Sequence, residues 1–411
     1  MNIFFLIIGG FLIFNYLLHL VTEYLNVSAI SSDLPEAFAQ HYDPDTYKQS
    51  QDYLRVRTRF SMFQSTLSLI VTLSFFVCGG FNTLDSWLRP LSDSSVVIGL
   101  LYMGALFLLM QVLSLPFSYY STFVIEERFG FNKTTIKVFV SDLIKSVVVS
   151  TLILVPMLGL TLWFFESLGT YAWAYVWGFL SVFQLVIAFF APTVIMPLFN
   201  TFEPIKDKDL EEKVLSYAKK ENFSLKGLYQ MDGSKRSSKS NAFFTGFGAN
   251  KRIVLFDTLI ERHSHDELLA VLAHEMGHYK KKHIHKSIVL SLINSFVMLF
   301  VLSKFMNNEL LFAAFQMQEL SVYASLVFFG MLYSPIEFFL SIFSSYLSRK
   351  HEFEADAYAI DTTGLKEAFI LALKKLSVDN LSNLKPHALK VFLEYSHPPV
   401  LQRIEAIKNR S

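Results

Sequence analysis

The chain has 411 residues, 52% of them hydrophobic, with 42 Phe, a mean hydropathy of +0.39 and only 17% charged residues. Soluble domains carry nearer about 25% charged residues, so the composition indicates a membrane protein. A net charge of +1 argues against a nucleic-acid surface, and the single cysteine, Cys78, excludes both a disulfide framework and a cysteine metal site.

Seven apolar runs are long enough to cross a bilayer: 2–22, 61–80, 96–120, 143–165, 172–198, 286–306 and 318–347. The first lacks a basic start and a small-residue cleavage site, so it reads as a retained helix rather than a signal peptide. With the N-terminus outside, one side carries 23–60, 121–142, 200–285 and the tail 348–411. Those segments hold 32 of the 36 Lys and Arg, whereas the opposite side holds only Arg89 and Lys304. Counted over short loops alone, the ratio is 7 to 2. Positive charge collects on the cytoplasmic side, which places the large connection and the tail in the cytosol.

Residues 23–60 are polar, mixed in charge and interrupted by Pro35 and Pro44, and read as a solvated connector. In 121–142, Glu126, Glu127 and Arg128 precede Gly130, which predicts a tight turn in an interfacial loop between two membrane helices. After Pro197 the composition changes, and 200–282 reads as a soluble domain. It has an amphipathic helix over 209–221 and strands over 225–231, 242–247 and 252–256, the last two joined by a turn at Gly248-Ala249-Asn250. An exposed strand edge can hold a peptide in extended form, or the hairpin can simply pack on the helix that follows.

That helix begins at Ser264, which forms a capping-box pattern with Glu267. It contains H-E-x-x-H as His274, Glu275 and His278. Residues four apart share a helix face, so both imidazoles can reach one ion, and Glu275 projects beside it as a base for the attacking water. A catalytic zinc takes three protein ligands and keeps one position open. His283 and His285 lie close in sequence, but His285 is about 10 Å beyond His278 on a continuous helix, so both are expected at the membrane interface. A tail carboxylate is a better third ligand. In RKHEFEADAYAI (349–360), a helix puts Glu352 and Asp356 on one face and points Glu354 away. Glu352, with its partner at i+4, is the first choice and Glu354 the next. Glu337, near Pro335 in the last span, either faces an aqueous interior or bonds a neighbouring helix. His397 precedes Pro398 and Pro399, which stiffen its backbone.

Five stretches together resemble a family: FVIEERFGFNKTT (123–135), GSKRSSKSNAFFTGFGANKRIVLFDTLIE (233–261), HEMGH (274–278), EFEAD (352–356) and SHPP (396–399). The chain resembles the integral-membrane zinc metalloproteases that process CAAX proteins, the type 1 CAAX prenyl endopeptidases. The resemblance implies a mainly α, polytopic fold in which seven transmembrane helices enclose a chamber. A gluzincin-like α+β zinc-metalloprotease domain is built from the connection between helices 5 and 6 plus the C-terminal tail. The expected division is 1–199 for spans one to five, 200–285 for the domain with HExxH, 286–347 for spans six and seven, and 348–411 for the rest of the catalytic domain. One Zn2+ is implied, held by His274, His278 and Glu352, with Asp356 accepting the other ring N–H of a zinc histidine. Glu275 is implied as general base, His397 as the oxyanion donor, and Asn241, Ala242 and Phe243 as substrate-binding residues, with Arg403 in a supporting place. The connection between spans six and seven is only about ten residues, whereas eukaryotic members carry more. That favours the bacterial cytoplasmic membrane over the endoplasmic reticulum and leaves a prenylated substrate open.

The expected activity is hydrolysis of a peptide bond near the C-terminus of CAAX-type substrates. The expected partners are a peptide or protein substrate and the bilayer, without nucleic acid. The alternatives are the same chemistry used to degrade damaged membrane proteins, and a transporter or scaffold with a structural metal. A site-2-type intramembrane protease is disfavoured, because Tyr279 and Lys280–282 follow the motif directly.

Overall fold

In lipid every backbone amide must bond within its own segment, so long apolar runs fold as helices. The structure, a computed structural model, describes residues 2–31, 33–245 and 251–410. Helices α1 (Ile3–Ser28) and α2 (Pro44–Val77) cross first, the short α3 (Gly80–Leu88) turns the chain, and α4 (Ser95–Tyr120), α5 (Ile136–Ser167) and α6 (Ala172–Phe190) follow. The extramembrane part then runs β1 (Phe202–Pro204), α7 (Lys208–Lys220), β2 (Gly227–Met231), β3 (Ala242–Thr245), β4 (Arg252–Phe256), α8 (Asp257–Arg262) and α9 (His265–Lys280). Two more crossings, α10 (His283–Phe305) and α12 (Val322–Thr363), flank the short α11 (Glu309–Ala314). The chain ends with α13 (Lys366–Asp379), α14 (Ala388–Glu394) and α15 (Val400–Lys408). Among the described residues seven helices are long and apolar enough to span, in the predicted order.

Contacts at the two ends of these helices agree with alternating crossings. On the side of α9, Lys390 pairs with Glu23 at 2.6 Å and Arg236 with Asp142 at 2.8 Å. At the opposite ends, Arg89 bridges Asp85 at 2.6 Å and Glu319 at 2.8 Å. Cavities lie between the spans. Polar side chains recur at helical spacing on facing helices. Arg57, Ser61 and Gln64 on α2 and Ser118 on α4 line a cavity of about 410 Å3. Ser287, Ser291 and Asn294 on α10 face Ser344 and Ser348 on α12 across one of about 680 Å3. Glu337 is exposed on α12 and, among the described residues, makes no hydrogen bond or ion pair, which favours the water-facing alternative for that carboxylate. This is a hollow, water-accessible arrangement of the spans.

One expectation needs correction. Residues 23–60 are not a free connector. Asp43 caps α2 by accepting the amides of Asp45 and Thr46, and Pro44 starts the helix well before residue 61. Phe38, Tyr42 and Tyr47 are buried in the same core as α9. The 121–142 loop does turn at Gly130, whose φ of +78° suits glycine. It is also clamped to the extramembrane domain, because Lys239 reaches Glu126 at 2.7 Å and the Tyr53 hydroxyl at 2.8 Å.

The sheet has the order β1-β2-β4-β3. β1, too short to have been predicted, pairs antiparallel with β2; β2 and β4 are parallel, and β4 and β3 antiparallel. β3 is therefore an edge strand. The predicted turn at 248–250, like Gly246 and Phe247, lies outside the described residues. The predicted capping box at Ser264 and Glu267 is present, and Glu267 is further held by Lys375 at 2.9 Å. One face of α9 packs against α12 through small side chains, Ala273 and Gly277 on one helix and Ala355 and Ala359 on the other, each alanine fully buried. A Cβ on Gly277 would stand 3.1 Å from the Ala355 Cα, so the two backbones approach as closely as glycine permits.

Enlarging Gly277 should therefore push α9 away from α12. Gly277→Ala is expected to cost about 1–3 kcal/mol in overpacking, and Gly277→Val more. Both should lower the thermal midpoint in detergent and the bound metal per chain, and an unchanged Gly277→Val protein would refute the packing argument.

Candidate active site

The contact of α9 with α12 brings together residues about 75 positions apart in the chain. His274 Nε2 stands 3.2 Å from His278 Nε2 and 3.5 Å from Glu352 Oε2, and His278 Nε2 is 3.2 Å from Glu352 Oε1. Ligand atoms about 2.0–2.2 Å from a tetrahedral ion stand roughly 3.3–3.6 Å apart, so the two imidazole nitrogens and the Glu352 carboxylate have the spacing of a coordination face. Glu352 is buried, yet its Oε2 has no hydrogen-bond partner. A buried carboxylate oxygen left in that state is costly unless a cation completes it. The donor set therefore fits a divalent metal of the zinc type.

Support for the triad comes from α12 and α15. Asp356 Oδ1 lies 2.7 Å from His274 Nδ1, so the ring donates there and leaves its Nε2 lone pair for an ion. Burial pulls the pKa of His274 down, but hydrogen bonds to Asp356 and Glu352 outweigh it and raise it to about 9. The pocket thus favours positive charge where the three atoms meet. Arg403 grips Asp356 with two bonds, Nε to Oδ2 at 2.8 Å and Nη2 to Oδ1 at 2.6 Å, and stands 3.5 Å from Glu352. Its guanidinium is directed at the carboxylates. Burial works against the Arg403 charge, and the Asp356 carboxylate outweighs it, so its pKa is raised.

Glu275 is half-buried beside His274 and, among the described residues, makes no hydrogen bond or ion pair. His397 has a 65% exposed side chain, its Nε2 3.5 Å from Glu352 Oε1 and its Nδ1 3.0 Å from the Ser396 hydroxyl. Asn241 is exposed at the start of β3, with its backbone carbonyl accepting the Phe256 amide at 3.0 Å. Ala242 and Phe243 continue that edge, and Phe244 packs against Tyr279 in the last turn of α9.

The helix does not continue through His283 as the sequence reading assumed. α9 stops at Lys280 and Lys282 adopts φ of +59°, so the chain doubles back. His283 is buried at the very start of the spanning helix α10, and its Nδ1 lies 3.1 Å from His278 Nδ1, on the side away from Glu352. Its Nε2 is 3.1 Å from Glu354. His285 is exposed and outside the cluster. Nothing in the sequence marked the break, since a lysine rather than glycine takes the left-handed conformation.

Residues 204–411 match the model of peptidase family M48, and 23–201 match the CAAX prenyl protease N-terminal model with five membrane helices. The chain belongs to family M48. It is a multi-pass membrane metalloendopeptidase acting on peptide substrates. Among M48 relatives, it is 34% identical to CAAX prenyl protease 1 of Saccharomyces cerevisiae, over 98% of this chain and 94% of that one. It is 33% identical to the CAAX prenyl protease 1 homolog of Arabidopsis thaliana (97% and 96%) and 32% identical to that of Homo sapiens (98% and 95%). The crystal structure of S. mikatae Ste24p superposes with a TM-score of 0.94 at 34% identity, over 99% of both chains.

Removing Arg403 would leave two buried carboxylates short of a cation. Arg403→Leu should cost about 3–5 kcal/mol, read as a lower thermal midpoint of metal-free protein. Arg403→Lys, a point charge in place of a fork, should fall between. A wild-type midpoint for Arg403→Leu would remove the residue from this role.

Proposed function

We propose that this M48 member is a zinc endopeptidase that cleaves near the C-terminus of prenylated CAAX-type substrates, with His274, His278 and Glu352 holding the metal. The observation that carries the reading is the meeting of two histidine nitrogens and the Glu352 carboxylate at tetrahedral spacing beside the carboxylate of Glu275, which has no hydrogen-bond or ion-pair partner among the described residues. Zinc held there supplies a Lewis acid for the scissile carbonyl and the attacking water. Glu275 takes the proton from that water and returns it to the leaving amine. His397 Nδ1 lies 3.0 Å from the Ser396 hydroxyl, and in the tautomer protonated at Nε2 His397 donates to the developing oxyanion. Asp356 orients His274, and Arg403 holds Asp356 in place. The free edge of β3 at Asn241, Ala242 and Phe243 takes the substrate backbone by strand addition.

The names of the relatives support the substrate class. A groove of about 680 Å3 between α10 and α12 adds to it, since Leu290, Leu340 and Phe343 line it and it reaches Glu354 and Ser396. A lipid-modified tail would find apolar surface there beside the site. The concentration of Lys and Arg on the side of α9 supports a cytosolic site. In this reading 200–285 and 348–411 form one catalytic unit, carried by membrane regions 1–199 and 286–347.

Glu275→Gln should keep zinc and lose roughly 10²–10⁴-fold in kcat. His397→Ala should lose roughly 10²–10³-fold with zinc content unchanged. Full turnover by Glu275→Gln would sink the mechanism. For the substrate, a farnesylated CAAX peptide is expected to be cleaved with a higher kcat/KM than its unprenylated twin. Equal rates would instead favour general degradation of membrane proteins.

A further inference from the structure

The three carboxylates of the EFEAD segment, Glu352, Glu354 and Asp356, lie within one and a half turns of α12, yet only two serve the site described above. Glu354 points away from Glu352, as its place on the helix requires. It meets His283, which the break at Lys282 has turned back towards α9. The chain of contacts is His278 Nδ1 to His283 Nδ1 at 3.1 Å and His283 Nε2 to Glu354 Oε2 at 3.1 Å. The His283 side chain is only 4% exposed, and its ring stacks on His351 with centroids 4.0 Å apart and planes at 11°. It has no freedom to turn its nitrogens elsewhere.

We propose that His283 and Glu354 are positioning residues that fix the tautomer and ring plane of His278, the counterpart of what Asp356 does for His274. The proton assignment follows from the acceptor at the end of the chain. A carboxylate accepts, so His283 donates from Nε2 and its Nδ1 is left as an acceptor. Among the described residues the only group facing that lone pair is His278 Nδ1, which must therefore carry its proton. His278 then presents an unprotonated Nε2 towards His274 Nε2 and Glu352. Each metal histidine is thus held at Nδ1 by a carboxylate of the same helix turn, directly through Asp356 and through one intervening imidazole from Glu354. A histidine is needed as the intermediary because Glu354 projects on the far side of α12, and only a ring with nitrogens on opposite edges bridges the gap. The Lys282 conformation gains a purpose here, since a continuous helix would carry position 283 away from His278.

The proposal rests on His278 being a metal ligand, and the test separates the two ideas. Full-length protein in detergent is stripped of metal and titrated with zinc against a competing chelator. His278→Ala is the control for the ligand itself, and wild-type zinc affinity in that variant would refute the metal reading rather than the relay. His283→Phe keeps the stacked, buried ring but removes the acceptor. Its zinc dissociation constant should rise about 10- to 100-fold. Glu354→Leu should weaken zinc in the same direction, whereas Glu354→Gln keeps an acceptor oxygen and should restore most of the affinity. The cobalt-substituted spectrum should shift in His283→Phe and Glu354→Leu and stay near wild type in Glu354→Gln. Wild-type affinity in His283→Phe overturns the proposal. If that variant fails to fold, equal affinities for Glu354→Leu and Glu354→Gln overturn it instead.

Discussion

The site depends on how closely α9 and α12 approach. Two histidines on one helix can always reach a common point, but the third ligand must come from elsewhere and arrive within about 0.2 Å of its place. Here the approach is set by glycine against alanine, with the Gly277 backbone touching Ala355 and no side chain between them. Gly277 lies inside the H-E-x-x-H turn, between Glu275 and His278, and Ala355 lies between Glu352 and Asp356. The residues that make contact and those that offer ligands therefore interleave on the same turns. A shift that loosened the packing would move the ligands by the same amount.

α12 also joins the site to the membrane. Its 42 residues would span roughly 63 Å as a continuous helix, about twice what a bilayer core needs. The first part crosses the membrane and the last turns carry Glu352, Glu354 and Asp356. α2 does the same on the other side of the interior, starting beside the extramembrane core and ending at Val77. Helices that overshoot the bilayer fix the catalytic unit rigidly to the spans, with no flexible linker between. The clamp of Lys239 on Glu126 and Tyr53 adds a third tether, just ahead of the edge strand β3.

Much of this was legible in the sequence, for reasons that differ by residue. His274, Glu275 and His278 declare themselves because their relation is local and helical periodicity alone puts them on one face. The spans are legible because the hydrophobic requirement of lipid is local as well. Glu352 was reachable only in part: its i+4 partner Asp356 marked a shared face, but which helix that face meets is a tertiary fact. The contact of His283 with His278 was not legible because the break at Lys282 carries no glycine or proline signal. Phe38, Tyr42 and Tyr47 were missed for a related reason. In a polar stretch, a few aromatics do not reveal that they belong to a core formed some 170 residues further on.

A hydrolase in a membrane needs water where lipid would exclude it, and the spans resolve this by not closing on one another. Serine, threonine and glutamine at three- and four-residue spacing on α2 and α4 would be a liability in a tight apolar bundle, where each hydroxyl would need a partner. Facing an aqueous interior, they are solvated at no cost. The buried site is the converse case. There water is withdrawn from Asp356, Arg403, His274 and Glu352, and each polar group has another within 3.5 Å, although Glu352 Oε2 accepts no hydrogen bond among the described residues. An open interior delivers water up to the site, while a dry, fully matched set of ligands and supports holds the one charge that the chemistry requires. The two environments meet at Glu275 and His397, the residues whose work requires them to touch both.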